Sequence, residues 1–152
     1  MSYPDIGQLI PHEGDMILLD RVLAADLDTL CAEVTIRPGS LFCDGAGVGS
    51  WVGIEYMAQA IAAHAGYLDH LRGEPIKVGF LLGARRYQVA VPLFAVGAVL
   101  KVHIHHAMQG DNGLAAFECR IEDTAGGAVL ANATVTVFVP NNVNEFLQRS
   151  FS

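Results

Sequence analysis

Alternating apolar and polar residues predict strands over much of this chain. Residues 29–37 alternate in this way, and an apolar segment, 16–26, precedes them after a gap of two residues. Four further strand-like segments follow later: 76–91, 98–108, 113–123 and 128–139. Glycine-containing sequences, QGDNG and TAGG, separate the last three and are typical of hairpin turns. The pattern predicts two strands, a central segment and four more strands.

The central segment, residues 50–70, has the character of a helix because it is rich in Ala and contains no Pro. Ser50 is a suitable N-cap, and Gly73 followed by Pro75 predicts the end of the helix. One helix between two groups of strands indicates an antiparallel α+β domain rather than repeated βαβ units. A sheet can bury this helix by wrapping around it, which requires a helix that is apolar on nearly all sides. We predict one such domain over residues 1–152.

Composition narrows the classes of function. A net charge of −7 argues against nucleic acid as a partner, and 52% hydrophobic residues argue against disorder. The three cysteines are odd in number and lack a C-x-x-C spacing, so we expect reduced thiols and a cytoplasmic protein. The first residues do not resemble a signal peptide. The longest apolar stretch, residues 51–67, includes a Glu, a Gln and a His, so we expect no membrane span.

Glu55 is the residue that the apolar character of the helix does not explain. Trp51 lies four residues before it and Gln59 four residues after it, on the same helix face. We expect Trp51 to shield the carboxyl group from water, which favours its proton-donating form, and Gln59 to orient it by a hydrogen bond. The simpler interpretation is a water-exposed carboxylate that the helix dipole stabilises.

Three sequence motifs occur in an order that is known from one enzyme family. IPHEGDMILLDRVL, residues 10–23, resembles the opening segment of the β-hydroxyacyl-acyl-carrier-protein dehydratases. GIEYMAQA, residues 53–60, resembles their central helix, where Glu or Asp is followed four residues later by Gln. FLLGARRYQVAVPLFAVGAVLKV, residues 80–102, resembles their next strand, in which an Arg–aromatic pair precedes a Pro and Gly turn. The details are most similar to the dehydratase-like subgroup of aryl-polyene-type pathways.

The resemblance implies a hotdog fold, in which an antiparallel sheet of five or six strands wraps around one long helix. It implies a β-hydroxyacyl thioester substrate on an acyl carrier protein, in fatty-acid or polyene-type lipid biosynthesis. It also implies a homodimer or a larger assembly of dimers, with the substrate tunnel between subunits. No metal and no cofactor are implied beyond the phosphopantetheine that carries the substrate.

The catalytic His of this family is absent from its usual place. The family has a His-Phe-Pro-Gly loop before the helix, whereas the loop here reads SLFCDGAGVGSW, with Leu41 at the corresponding position. Dehydration needs a base to remove a proton from C2 and an acid to protonate the departing C3 hydroxyl. We expect Glu55 to be the acid and His12 to be the base. The alternative for His12 is a turn histidine bonded to a backbone carbonyl, and related enzymes carry such a His without using it as the base.

Substrate contacts are expected at the start of the helix and on the strand that follows it. Backbone N–H groups at a helix start can polarise a thioester carbonyl. On the resemblance, the arginine pair of the next strand would bind the phosphate of phosphopantetheine or an acidic carrier protein, and a solvated strand is the alternative. The substrate-binding candidates are Gly49, Ser50, Trp51, Gln59, Phe80, Arg85 and Arg86.

Other reactive side chains have simpler interpretations. His64 lies roughly half a turn around the helix from Glu55 at about 3.6 residues per turn, so we predict a packed core histidine, with contact to another subunit as the alternative. His103 and His105 share a strand face without an evident third ligand, which favours a solvent-facing role over a metal site. Cys43 has no adjacent base and is interpreted as a small loop residue rather than a nucleophile.

Two other functions fit the same residues. A thioesterase on this fold needs only a carboxylate to activate water and the helix start to stabilise an oxyanion, and the missing loop His favours it. A domain that has lost its base would instead hold an acyl chain or stabilise an active partner. The distance from Glu55 to the nearest imidazole separates these alternatives, because a His within reach supports dehydration.

Overall fold

The computed structural model of this chain describes residues 3–75 and 80–138, without the side chain of Phe80. In these ranges the elements are β1 (Arg21–Ala25), β2 (Thr29–Thr35), β3 (Gly47–Gly49), α1 (Gly53–Leu71), β4 (Phe80–Val89), β5 (Leu93–Ala95), β6 (Val99–Gln109), β7 (Leu114–Asp123) and β8 (Val129–Phe138). Short 3-10 turns span Ile6–Gln8, Gly14–Met16 and Ser50–Val52. Part of the predicted strand 76–91 and the end of the predicted strand 128–139 lie outside the described residues.

Six strands form one antiparallel sheet in the order β1-β2-β6-β7-β8-β4. The predicted antiparallel α+β architecture is therefore confirmed. The two predicted hairpins join β6 to β7 and β7 to β8, and their turns contain Gly113 at φ 89° and Gly127 at φ 72°, which glycine adopts without strain. Strands β3 and β5 pair separately and were not predicted, because three residues are too few to show alternation.

The helix packs against one face of this sheet. It contacts β2, β6, β7 and β8, whose inward residues alternate with exposed ones along each strand. Met57, Ala60 and Ala63 are fully buried on the helix side of this core. A Cβ at Gly66 would collide with the carbonyl of Leu9, so the segment before β1 crosses directly against the helix backbone.

The sheet covers only part of the apolar helix. Ile54, Ala58 and Ala62 remain partly exposed in the single chain, although the sequence predicts a helix that is apolar on nearly all sides. The start of the helix also differs from the prediction. A 3-10 turn precedes α1, and the side chain of Ser50 makes no capping hydrogen bond, so its N-cap assignment is wrong.

Candidate active site

The structure brings His12 and Glu55 together. Glu55 is the third residue of α1, and His12 lies in the segment that leads to β1. His12 Nε2 lies 3.6 Å from Glu55 Oε1, with side-chain exposures of 28% and 40%. The other ring nitrogen of His12, Nδ1, is buried and has no hydrogen-bond partner among the described residues. The ring is thus not bonded to a backbone carbonyl there, and Nε2 is the nitrogen that faces the carboxylate.

Gln59 connects Glu55 to the segment that follows His12. Its side chain is fully buried. Its Oε1 accepts the N–H of Leu18 at 2.9 Å, and its Nε2 donates to the carbonyl of Met16 at 2.7 Å. The same Nε2 lies 3.3 Å from Glu55 Oε1, which is the hydrogen bond expected from the sequence. The amide of Gln59 therefore links the carboxylate of Glu55 to the backbone of the segment that follows His12.

Glu55 lies in an apolar groove of about 420 Å³. The other lining residues are Met16, Leu18, Leu41, Phe42, Trp51, Val52 and Ile54. Leu41, at the position of the usual family His, contributes only hydrocarbon to this wall. The carboxyl group has an apolar wall on one side and open space on the other.

Trp51 does not shield Glu55 as the sequence analysis expected. Its side chain is 66% exposed, and its ring packs edge-on against Phe42 with a centroid distance of 5.4 Å. A Cβ at Gly49 would collide with the indole of Trp51. The ring can therefore pack against the backbone only because residue 49 is glycine. Trp51 and Phe42 form the exposed rim of the groove instead of a cover over the carboxylate.

A second cavity, of about 480 Å³, lies beside the groove. Leu18 and Leu41 line both cavities. The second one is polar at its edge, where Arg37 Nη1 contacts Asp20 Oδ1 at 3.1 Å. Tyr56 is buried in its wall, and burial raises the pKa of this phenol to about 12, so the hydroxyl stays protonated at neutral pH.

The helix start provides fewer free amides than the sequence suggests. The N–H of Ser50 donates to the carbonyl of Pro92 at 3.1 Å, which removes it from the donors available to a thioester. The carbonyl of Ser50 accepts a hydrogen bond from the hydroxyl of Tyr87. Gly49 and Trp51 remain the candidate donors from the predicted set.

The two predicted arginines of β4 do not line the groove. Arg85 and Arg86 are exposed, and neither lines either of the two cavities. Phe80 begins β4 with its backbone paired to Phe138, while its side chain lies outside the described part of the chain. Their roles in substrate binding stay predictions.

His64 is the packed core histidine that its simpler interpretation predicts. His64 is 2% exposed, and its Nε2 lies 3.0 Å from the carbonyl oxygen of Asp26. Burial lowers the pKa of His64. His103 and His105 lie on the outward face of β6, and no group of three potential metal ligands occurs within residues 3–75 and 80–138. Cys43 lies in the loop before β3.

Tyr56 lines the second cavity and Tyr87 contacts the turn before α1, and neither role was predicted from the sequence. Tyr56 follows Glu55 directly, but its direction into the second cavity depends on how the helix is rotated against the sheet. Tyr87 belongs to the Arg–aromatic pair of the third motif, so the motif did contain a signal for it. Its contact with Ser50 spans 37 positions, so it could be identified only from the folded structure.

The wrapped sheet, the central helix and the acid–imidazole pair define a hotdog-fold protein with a candidate acid–base site. The chain matches the ApeP-like family, described as ApeP dehydratase, over residues 4–148. It belongs to this dehydratase family, which confirms the resemblance found in the sequence.

Several solved structures are similar to this chain. The dehydratase heterocomplex ApeI:P from Xenorhabdus doucetiae includes a chain with a TM-score of 0.87 and 29% identity, over 99% of both chains. A hypothetical thioesterase with coenzyme A from Streptococcus pneumoniae TIGR4 has a TM-score of 0.61 and 13% identity, over 78% of this chain and 84% of that one. Zebra fish thioesterase superfamily member 2 has a TM-score of 0.62 and 14% identity, over 80% of each chain. At these identities the two thioesterases share the fold alone.

No curated protein sequence matches the chain. Within the described residues, no helix has the length and apolar character that crossing a membrane requires.

Proposed function

We propose that this protein dehydrates β-hydroxyacyl thioesters carried by an acyl carrier protein, in polyene-type or fatty-acid-type lipid biosynthesis. The observation that carries the proposal is the 3.6 Å distance between His12 Nε2 and Glu55 Oε1 beside an apolar groove. Membership of a dehydratase family supports the same reaction. The hydrocarbon wall of the groove suits an acyl chain, and the carboxyl group at its edge suits the reacting carbons.

The reaction assigns one proton transfer to each side chain. His12 Nε2 removes the proton from C2. The electron pair of the broken C2–H bond forms the C2–C3 double bond as the C3–O bond breaks. Glu55, in its acid form, donates a proton to the departing hydroxyl, which leaves as water. His12 has then gained a proton and Glu55 has lost one. Transfer of that proton from Nε2 to the carboxylate restores both groups. The two atoms are 3.6 Å apart, so the transfer needs no other residue.

Backbone amides would assist the reaction at the thioester carbonyl. Negative charge develops on that oxygen when the C2 proton is removed, and fixed N–H donors stabilise it. We assign this role to the amides of Gly49 and Trp51, since the Ser50 amide is already bonded to Pro92. Arg85 and Arg86 are proposed to contact the phosphate of the phosphopantetheine arm or the acidic carrier protein, because both are exposed cations on an edge strand.

A second hotdog subunit is proposed to cover the groove. Met16, Phe42 and Trp51 are each about half exposed or more and border one apolar surface, which is unusual for a surface in permanent contact with water. The structure from Xenorhabdus doucetiae is described as a heterocomplex, so the partner is either a second copy of this chain or a homologous dehydratase. The free cysteines Cys31, Cys43 and Cys119 support a reducing, cytoplasmic location.

An assay with two possible products tests this function. The full-length protein, alone and with a homologous dehydratase subunit, is offered a β-hydroxyacyl thioester of an acyl carrier protein. Enoyl thioester is measured against free acid and thiol, and Glu55→Gln serves as the control. We expect enoyl product and loss of one C2 deuterium from a C2-deuterated substrate. Free acid and thiol instead identify a thioesterase, and the absence of both products rejects either enzyme in favour of an acyl-binding subunit.

A further inference from the structure

Tyr87 joins the edge strand of the sheet to the turn that leads into α1. Its hydroxyl donates a hydrogen bond to the carbonyl oxygen of Ser50. The same carbonyl accepts the N–H of Gly53, the first residue of α1. On its other side the turn is held by the hydrogen bond from Ser50 N–H to Pro92. The backbone that presents Glu55 is therefore anchored from the sheet.

The backbone of β4 is distorted at Tyr87. Two residues, Arg86 and Tyr87, lie opposite the single residue Ala133 of β8, which makes a bulge in the edge strand. Arg86 adopts a φ of 56°, a conformation that residues other than glycine rarely adopt. Bulges of this kind redirect a side chain out of the regular alternation. The neighbours of Tyr87 on both sides are exposed, whereas its own ring is half-buried against the core.

Gly53 leaves room for the Tyr87 hydroxyl. A Cβ at position 53 would collide with that oxygen, and it would lie 3.1 Å from Ile121 Cδ1 and 3.3 Å from Phe94 Cζ. Burial raises the pKa of Tyr87, so the phenol remains a hydrogen-bond donor at neutral pH. The contact between edge strand and helix start thus involves a bulge, a phenol and a glycine that fit one another.

We propose that Tyr87 is a positioning residue for the candidate site. It fixes the turn Ser50–Val52 and so sets where Glu55 and the amides of the helix start meet the substrate. The inference rests on the proposed dehydration. Tyr87 lines neither the groove nor the second cavity, so it acts through the backbone rather than by touching substrate.

Tyr87→Phe removes the hydroxyl and keeps the packed ring. We expect kcat to fall about tenfold, because small displacements of reacting groups slow the chemical step. KM should stay within about twofold, since the substrate contacts remain in place. Tyr67→Phe is the matched control, because it removes a phenol hydroxyl from the far part of the helix and should leave both constants within about twofold. Thermal unfolding is measured for both variants.

Gly53→Ala supplies an independent test of the same contact. In the wild type the new Cβ meets the Tyr87 hydroxyl, so kcat and the thermal midpoint should both fall. In the Tyr87→Phe background that obstacle is absent, and the added methyl should cost less in both measurements. Losses that simply add in the double variant contradict the proposal, because separate sites behave additively.

The outcomes separate this inference from the proposed function. If the kcat of Tyr87→Phe is unchanged, or falls only as far as its folded fraction falls, Tyr87 does not position the site. If the wild type turns over no thioester, the proposed function fails, and amide chemical shifts decide the inference instead. Shift changes in Tyr87→Phe that are largest from Ser50 to Glu55 then support it, and changes confined to β4 overturn it.

Discussion

Two polar side chains of α1, those of Glu55 and His64, have different surroundings. Near the start, Glu55 is 40% exposed at the edge of a groove and faces an imidazole at 3.6 Å. Further along, His64 is 2% exposed, and its ring bonds the carbonyl of Asp26. Both are ionisable groups on one apolar helix, but the carboxylate of Glu55 faces a side chain of another segment, whereas the ring of His64 bonds a backbone carbonyl.

The hydrogen bonds of a polar group in an apolar helix indicate whether the group is structural or can bind a ligand. A buried polar group that is fully bonded belongs to the architecture, since leaving it unbonded costs free energy. A polar group that is bonded on one side and open on the other is available to a ligand. Gln59 belongs to both cases, because it is fully buried and bonded yet holds the open carboxylate.

Glu55→Gln should produce the largest effect at the open end of the helix. The amide keeps the size and the contact with Gln59 but cannot donate a proton in the way a carboxylic acid does. General acid–base catalysis contributes about 10²- to 10⁴-fold, and we expect kcat for dehydration to fall about 10³-fold. The rate of enoyl formation measures this. Glu74→Gln, an exposed substitution beyond the helix, should leave the rate unchanged, and an equal loss there would contradict the assignment.

His12→Gln should reduce kcat about 10²-fold, because the variant lacks the imidazole that we propose as the base for the C2 proton. The measurement is the exchange of C2 deuterium into water together with enoyl formation. His64→Gln changes the buried histidine for comparison and should leave the exchange rate within about threefold. If His64→Gln slows exchange more than His12→Gln does, the roles of the two histidines are reversed.

Gln59→Leu tests the residue that is both buried in the core and bonded to Glu55. The variant leaves the N–H of Leu18 and the carbonyl of Met16 without their partner, and unsatisfied buried groups cost about 1–3 kcal/mol each. We expect the free energy of unfolding to fall by about 2–4 kcal/mol in urea titrations, with kcat also reduced. Gln8→Leu is the matched control, because it changes an exposed glutamine, and it should alter the free energy of unfolding by less than about 0.5 kcal/mol. An equal loss of stability in Gln8→Leu would contradict this account.

The smallest predicted effect concerns His64 and pH. Burial lowers its pKa in the folded chain, with Asp26 and His106 as its charged or titratable neighbours. Below the ordinary value of about 6.5, the unfolded chain binds a proton that the folded chain does not, so stability falls as pH decreases from 7 to 5. One such group contributes a slope of at most about 1.4 kcal/mol per pH unit.

Urea midpoints between pH 7 and pH 5 measure that slope. His64→Gln should flatten it, whatever its effect on stability at pH 7. His105→Gln changes an exposed histidine and should leave the slope as it is. A slope that the two substitutions flatten equally would show that burial of His64 is not its cause.

The regular elements could be predicted from local patterns, because burial on one face of a strand produces alternation. Strands β2, β6, β7 and β8 agree with their predicted segments within two residues. The start of α1 could not be predicted in detail, since Ser50 is held by Pro92 and Tyr87 rather than by its own side chain. Local sequence does not record such long-range bonds.

The site was predictable in its members but not in its surroundings. Motif order led to Glu55, Gln59 and His12, and the structure places these three within one connected set of contacts. The exposure of Trp51 was mispredicted, because helical spacing assumes a regular helix where the chain forms a 3-10 turn. The bonds from Gln59 to the segment after His12 span more than 40 positions and follow only from the fold.

The short distance between His12 Nε2 and Glu55 Oε1 has a stereochemical consequence. Two groups 3.6 Å apart can reach a hydrogen on C2 and a hydroxyl on C3 only if both lie on the same face of the acyl chain. Antiperiplanar departure would need the base and the acid on opposite faces of the C2–C3 bond. The elimination is therefore expected to be syn. The configuration at C3 then determines which of the two diastereotopic C2 hydrogens is removed.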